Sequence, residues 1–271
     1  MVTSRMINEG FSVISGQISS DENLKYITNV AKERYSEYTS AHHEWINSVE
    51  PSKYRNALNA VRIDPEIFRK IQEKFPGARI KSVPEADEIY WAISPRHAIG
   101  SDRSLVDCHY DSPFSWFPTG RVVFYRVIIA CNENNTVTTT FPDESVNVKM
   151  NTKDFHGLDY NRDIHCVEGS IPPGKYRVLL KMHYIIVPPG SESYETVVRK
   201  LNVWWTIFSR ETMQMSANPK TSYEYIVALM VNFGRMIFNN IYIYLIIILI
   251  IPCILYNKIL FKSLKKYISL R

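Results

Sequence analysis

His109 and Asp111 stand two positions apart in Asp107-Cys108-His109-Tyr110-Asp111-Ser112. In an extended chain that spacing turns an imidazole and a carboxylate to the same side. A second imidazole, His165, follows after a stretch long enough to cross a β-sandwich and return. Two imidazoles and one carboxylate on one face of an octahedral ion leave three positions open, a ligand set that suits Fe(II) and leaves room for co-ligands. An HxD pair is a short motif and recurs by chance, so its setting matters. Here it precedes the apolar run Arg121–Cys131, and His165 precedes a second such run beyond Pro172-Pro173-Gly174.

The elements that must position these residues are β-type. From Ala78 onward the chain carries runs rich in Val, Ile, Thr and aromatics: ARIKSV, EIYWAI, RVVFYRVIIAC, TVTTTF, VNVKM, KYRVLLKMHYIIV and LNVWWTIF. Proline and glycine punctuate them, as expected for strands joined by turns. Before Ala78 the pattern is helical. Ser20-Asp21-Glu22 caps a predicted helix running on as far as His42, His43 and Trp45, with Leu24, Ile27, Val30, Ala31 and Tyr35 as its apolar stripe. Asp64-Pro65-Glu66 starts another, which Pro76-Gly77 ends. His42 and His43 are expected to be solvated, because adjacent helical positions diverge. The expected class is α+β: a double-stranded β-helix (jelly roll) with flanking N-terminal helices and one C-terminal transmembrane helix.

That last helix is read from residues 236–257, which carry no charge and include IYIYLIIILIIPCILY. A helix of that length spans roughly 33 Å, about the hydrocarbon thickness of a bilayer. Tyr242, Tyr244 and Tyr256 fall near its ends, where aromatic belts sit. The predicted organisation is a helical support region at 1–77, a jelly-roll core at 78–208, a connector at 209–235, the membrane span at 236–257 and a basic tail at 258–271. The tail holds Lys258, Lys262, Lys265, Lys266 and Arg271, which account for the formal net charge of +5. The remainder is near neutral, so nucleic acid is not an expected partner, whereas a lipid bilayer is. The amino terminus lacks the apolar segment of a secretory signal, which favours a single-pass C-terminal anchor with the globular domain in the cytosol. The lysine tail argues for the opposite orientation.

The four cysteines form no CxxC pair. Cys108 and Cys166, beside two proposed ligands, are expected to be packed thiols, with a disulfide between them left open. Asn134-Asn135-Thr136 is a glycosylation sequon, too common a signal to fix the compartment.

HxD, a distal histidine and a basic residue on the strand that follows resemble the Fe(II)/2-oxoglutarate-dependent dioxygenases of the phytanoyl-CoA hydroxylase and prolyl hydroxylase type. The likeness covers about residues 78–208. It implies His109, Asp111 and His165 as iron ligands, and Arg177 as the partner of the distal carboxylate of 2-oxoglutarate, a task suited to a planar guanidinium. Many relatives carry a hydroxyl residue two positions after that arginine, where this chain has Leu179. Lys181 is therefore an alternative for the carboxylate, and Tyr125 for the hydroxyl. Phe114, Trp116 and Phe117 are candidate walls of a substrate mouth, or packing at its rim. His156 competes with His165 as the distal ligand but sits in a turn-like sequence, and His183 is expected to be a packed strand residue. The resemblance implies Fe(II) and 2-oxoglutarate, with ascorbate as an optional reductant. The implied reaction hydroxylates a small-molecule, lipid or protein substrate and releases succinate and CO2. A membrane-anchored jelly roll serving only in interaction or assembly is the rival reading.

Overall fold

The computed structural model describes residues 12–38, 42–46, 52–93, 108–116, 121–217, 219 and 221–239. These fall into two compact units divided between Ile207 and Phe208. The first unit holds ten strands: β1 (Ile14–Gln17), β2 (His42–Trp45), β3 (Arg79–Ser82), β4 (Glu88–Ile93), β5 (Val123–Ala130), β6 (Asn134–Phe141), β7 (Val146–Met150), β8 (Asp154–Asp159), β9 (Cys166–Gly169) and β10 (Tyr176–Val187). Its helices are α1 (Asp21–Tyr35), α2 (Ser52–Arg62) and α3 (Pro65–Lys74), and α4 (Glu192–Ala217) begins in it.

The large sheet runs β1-β8-β5-β10-β4-β2, with β3 paired to the far end of β10, and the small one runs β7-β6-β9. All their pairings are antiparallel. The α+β expectation therefore holds. Strand alternation divides the two faces of the large sheet. Val123, Tyr125, Val127 and Ile129 of β5, with Val178, Leu180, Met182, Tyr184 and Ile186 of β10, share one cluster with residues of α1, α2 and α3. On the other face Ile128, Ala130, Leu158 and Leu179 pack against Phe141 and Met150 of the small sheet. The second face, enclosed between the sheets, is the one on which the polar site residues lie.

The helices form for local reasons. In α1, Leu24, Ile27, Ala31 and Tyr35 are buried at helical spacing, with acids in the first turn and basic residues in the last, as the helix dipole favours. In α3, the Asp64 carboxylate accepts from the Glu66 N–H at 3.0 Å and Pro65 fills the first turn, which needs no N–H donor.

Two expected elements differ. The helix ends at Tyr35, and His42–Trp45 is instead a strand on the edge of β4. LNVWWTIF lies inside α4. Its β-branched and aromatic residues favour a strand, but Val198, Asn202 and Thr206 are buried at a four-residue interval, so the burial period is helical. Among the described residues no helix is long and apolar enough to cross a membrane. The span expected at 236–257 lies beyond Asn239 almost entirely, outside the described residues, as does the basic tail. The second unit contributes α5 (Ser222–Asn239).

Candidate metal centre

His109 and His165 face each other as an isolated antiparallel bridge. Each backbone N–H donates to the other's carbonyl, at 2.9 and 3.0 Å. Residues exchanging both hydrogen bonds place their side chains on the same face, and here the ring centroids are 4.5 Å apart. Asp111 completes the group. His109 Nε2 lies 3.9 Å from Asp111 Oδ1, and His165 Nε2 lies 3.9 Å from Asp111 Oδ2. One ligand atom from each residue lies within 4.8 Å of the other two. Ligands about 2 Å from a common ion, on one face of it, stand roughly 3 Å apart, so a contraction of about 1–2 Å would close the set.

The same bridge explains the cysteines. If 109 opposes 165, then 108 opposes 166, on the reverse face of the ribbon. Cys108 and Cys166 are joined as a disulfide with their Cα atoms 4.1 Å apart. The expectation of packed thiols is thus corrected: the histidine pairing that builds the metal face forces its neighbours together behind it.

The surroundings set the charge states. Burial raises the Asp111 carboxyl, but Arg126, His165, His109 and Lys181 outweigh it and hold the group below the ordinary carboxylate range. Arg126 Nη1 donates to Asp111 Oδ2 at 2.7 Å. His165 is lowered by burial, against the pull of Asp111, and so stays neutral as a ligand must. Its Nδ1 is 3.4 Å from the Asp163 carbonyl oxygen, an acceptor that leaves Nε2 free to face Asp111. Phe141 lies beside the same ring. The Trp205 indole donates to the Asp111 carbonyl oxygen at 3.1 Å, so α4 pins the HxD segment through its backbone.

The other expected residues divide. Arg177 and Lys181 alternate with Val178 and Leu180 of the helix-facing cluster, which puts both on the enclosed face of β10. Arg177 is buried, which lowers its guanidinium to about 10, still charged at neutral pH. Lys181 Nζ lies 3.1 Å from Glu88 Oε1. Tyr125 does not join them. It sits between Phe124 and Arg126, so its side chain turns to the helix-facing side, where its hydroxyl donates to the Ser12 carbonyl oxygen at 2.6 Å. Phe114 packs edge-on against Trp205 at 6.0 Å. Phe117 lies outside the described residues, as does the Trp116 side chain. His156 is in β8 rather than a turn and is buried, with Nδ1 3.1 Å from the Met150 sulfur. It is not part of the ligand group.

Arg126 is the residue that sequence reading missed. Its signal was present: a lone cation inside the apolar run Val122–Ala130, an arrangement that needs a buried partner.

No protein-family model and no curated protein matches the chain. Solved structures with a related backbone include the epimerase SnoN in complex with Fe3+, alpha ketoglutarate and nogalamycin RO (TM-score 0.47, 11% identity, covering 68% of this chain and 85% of that one). AviO1 from Streptomyces viridochromogenes Tue57 gives 0.46, 12%, 68% and 94%. A Pseudomonas putida prolyl-4-hydroxylase gives 0.41, 11%, 68% and 98%. At TM-scores below 0.5 these likenesses carry no weight for the chemistry, which rests on the side chains above.

Proposed function

We propose that the protein is a non-haem iron oxygenase that uses 2-oxoglutarate as co-substrate. The observation that carries the reading is the convergence of His109, Asp111 and His165 within 4.8 Å of one another on a sheet-enclosed face. The donor set fits a first-row divalent ion: two neutral imidazole nitrogens and one ionised carboxylate, with three positions left for other ligands. When bound, Fe(II) with 2-oxoglutarate and dioxygen supplies the oxidising chemistry that hydroxylates a C–H bond and releases succinate and CO2.

The chain's own residues hold and orient. His109, Asp111 and His165 fix the ion. The Asp163 carbonyl holds the His165 ring, and Trp205 holds the HxD backbone. Arg177 is taken as the partner for the distal carboxylate of 2-oxoglutarate on its chemistry: a guanidinium fork binds a carboxylate through two parallel hydrogen bonds, where the Lys181 ammonium on the same face offers a point charge.

The test is metal and turnover together. The protein is expected to bind Co(II) or Fe(II) in equilibrium dialysis and to convert 2-oxoglutarate to succinate. His109→Ala and His165→Ala are each expected to lose both, and Arg177→Ala to keep the metal while requiring more 2-oxoglutarate. A wild-type protein that takes up no divalent ion refutes the oxygenase reading and favours a non-catalytic assembly role.

The proposal extends to attachment to a bilayer through residues 236–257, which rests on sequence alone. The Cys108–Cys166 bond supports an oxidising surrounding for the catalytic unit. Together with the lysines after the span it favours the non-cytosolic side over the cytosol. Protease added to intact vesicles is expected to spare the catalytic unit. Digestion without detergent would refute that orientation.

A further inference from the structure

We propose that Arg126 is a positioning residue that keeps Asp111 a one-oxygen ligand and, through its second guanidinium nitrogen, helps hold the 2-oxo acid that chelates the ion, so that one position stays open beside it. The inference rests on the metal reading of the His109–Asp111–His165 group. A carboxylate binding through both oxygens occupies two of six octahedral positions and, with two imidazoles, leaves two. Binding through one oxygen leaves three, enough for a chelating co-substrate and one further ligand.

The geometry divides the Asp111 oxygens in this way. Each oxygen stands 3.9 Å from a histidine Nε2, Oδ1 from His109 and Oδ2 from His165, but Oδ2 alone accepts from Arg126 Nη1, at 2.7 Å. A guanidinium committed to Oδ2 opposes the rotation that would bring both oxygens onto the ion, and neutralises part of their charge.

Arg126 is itself held by a buried chain. Its Nε–H donates to His183 Nε2 at 2.9 Å. Because Nε2 accepts, the His183 proton resides on Nδ1, which lies 3.3 Å from Asp87 Oδ1. The same carboxylate oxygen accepts the His183 backbone N–H at 2.6 Å, and Asp87 Oδ2 pairs with Arg62. Arg126 also lies over the Tyr160 ring, 4.4 Å from its centroid. Arg126, His183 and Asp87 are all at most 3% exposed. Burying a line of polar groups is costly, and an apolar set would fill the same space. A line ending on the carboxylate of a metal ligand is what an orienting role requires. Arg126 Nη2 is buried and has no hydrogen-bond partner among the described residues, which leaves a donor for an oxygen of an anionic ligand.

The full chain in detergent, loaded with Co(II) under nitrogen, tests this by its visible absorption during titration with 2-oxoglutarate. Arg126→Met is expected to bind Co(II) within about threefold of wild type, to show an altered spectrum before 2-oxoglutarate is added, and to need at least about tenfold more 2-oxoglutarate for half-saturation. Arg126→Lys retains a cationic donor and is expected to stay within about threefold of wild type in both measurements. Equal 2-oxoglutarate affinity in wild type and Arg126→Met overturns the inference. So does loss of Co(II) binding in both variants, which would make Arg126 a folding residue. Failure of the wild type to bind Co(II) overturns the metal reading beneath it, and the two failures are told apart by that control.

Discussion

Replacing Cys108 and Cys166 together by serine removes the link behind His109 and His165 without touching the face they share with Asp111. The bonded residues are 58 positions apart in sequence. The chain-entropy relation for a loop of that length, −2.1 − 1.5R ln n cal/mol/K, corresponds to about 4 kcal/mol at 25 °C. For a unit of roughly 200 residues that is a fall in Tm of roughly 8–16 °C. The proper assay is a thermal or urea melt of the oxidised protein, the same protein under reductant, and the double-serine variant. The reduced protein and the variant are expected to melt together, well below the oxidised form. Co(II) affinity, measured where all forms are folded, is expected to fall in the same two, because the strand pair that presents His109 and His165 loses its covalent closure. A thiol titration of the unfolded, unreduced protein provides the independent check. Two reactive thiols are expected of the four cysteines, since one disulfide consumes two. Four reactive thiols, or melts that coincide with and without reductant, would refute the reasoning.

Two buried carboxyls contribute a stability that falls as pH rises from about 4 to 7. Burial raises the Asp159 carboxyl to about 6, and burial with the neighbouring Asp159 charge raises Asp163 to about 7. The folded state therefore holds protons that the unfolded chain releases above the ordinary value of 3.8, and that stabilisation is gone once pH has climbed through the folded values. The buried histidines give the opposite slope over much of the same range. His156, pushed down to about 3 by burial, and His165 and His183, lowered for the same first reason, stay neutral in the fold while the unfolded chain protonates. Asp163→Asn should therefore shift the pH dependence of urea midpoints between about 4 and 7 toward stability that increases with pH; an unchanged dependence would exclude the carboxyl pair as a contributor. Tyr125→Phe should cost about 1 kcal/mol in urea unfolding through loss of the bond to Ser12, and leave 2-oxoglutarate affinity unchanged; a weaker affinity would restore Tyr125 to the co-substrate site.

The sequence by itself determined the identities of the three converging residues and most of the strands. A two-residue spacing is rigid information, because any extended segment turns such residues to one side, and Arg79–Ser82, Glu88–Ile93, Val123–Ala130 and Tyr176–Val187 are locally consistent strand sequences. Only the tertiary structure decided what lies opposite what. Pairing partners are set by sheet register, which no single segment encodes, so the 109–165 bridge, the disulfide behind it and the edge placement of His42–Trp45 were not legible. LNVWWTIF is helical against its strand preference because intrinsic preference is a weak force beside burial on one helical face. Tyr125 and Arg126 show the limit most plainly. Both are polar-tipped residues of one strand, but the pleat sends one toward the helices and the other to Asp111, and the direction is fixed by which face the rest of the fold chooses to enclose.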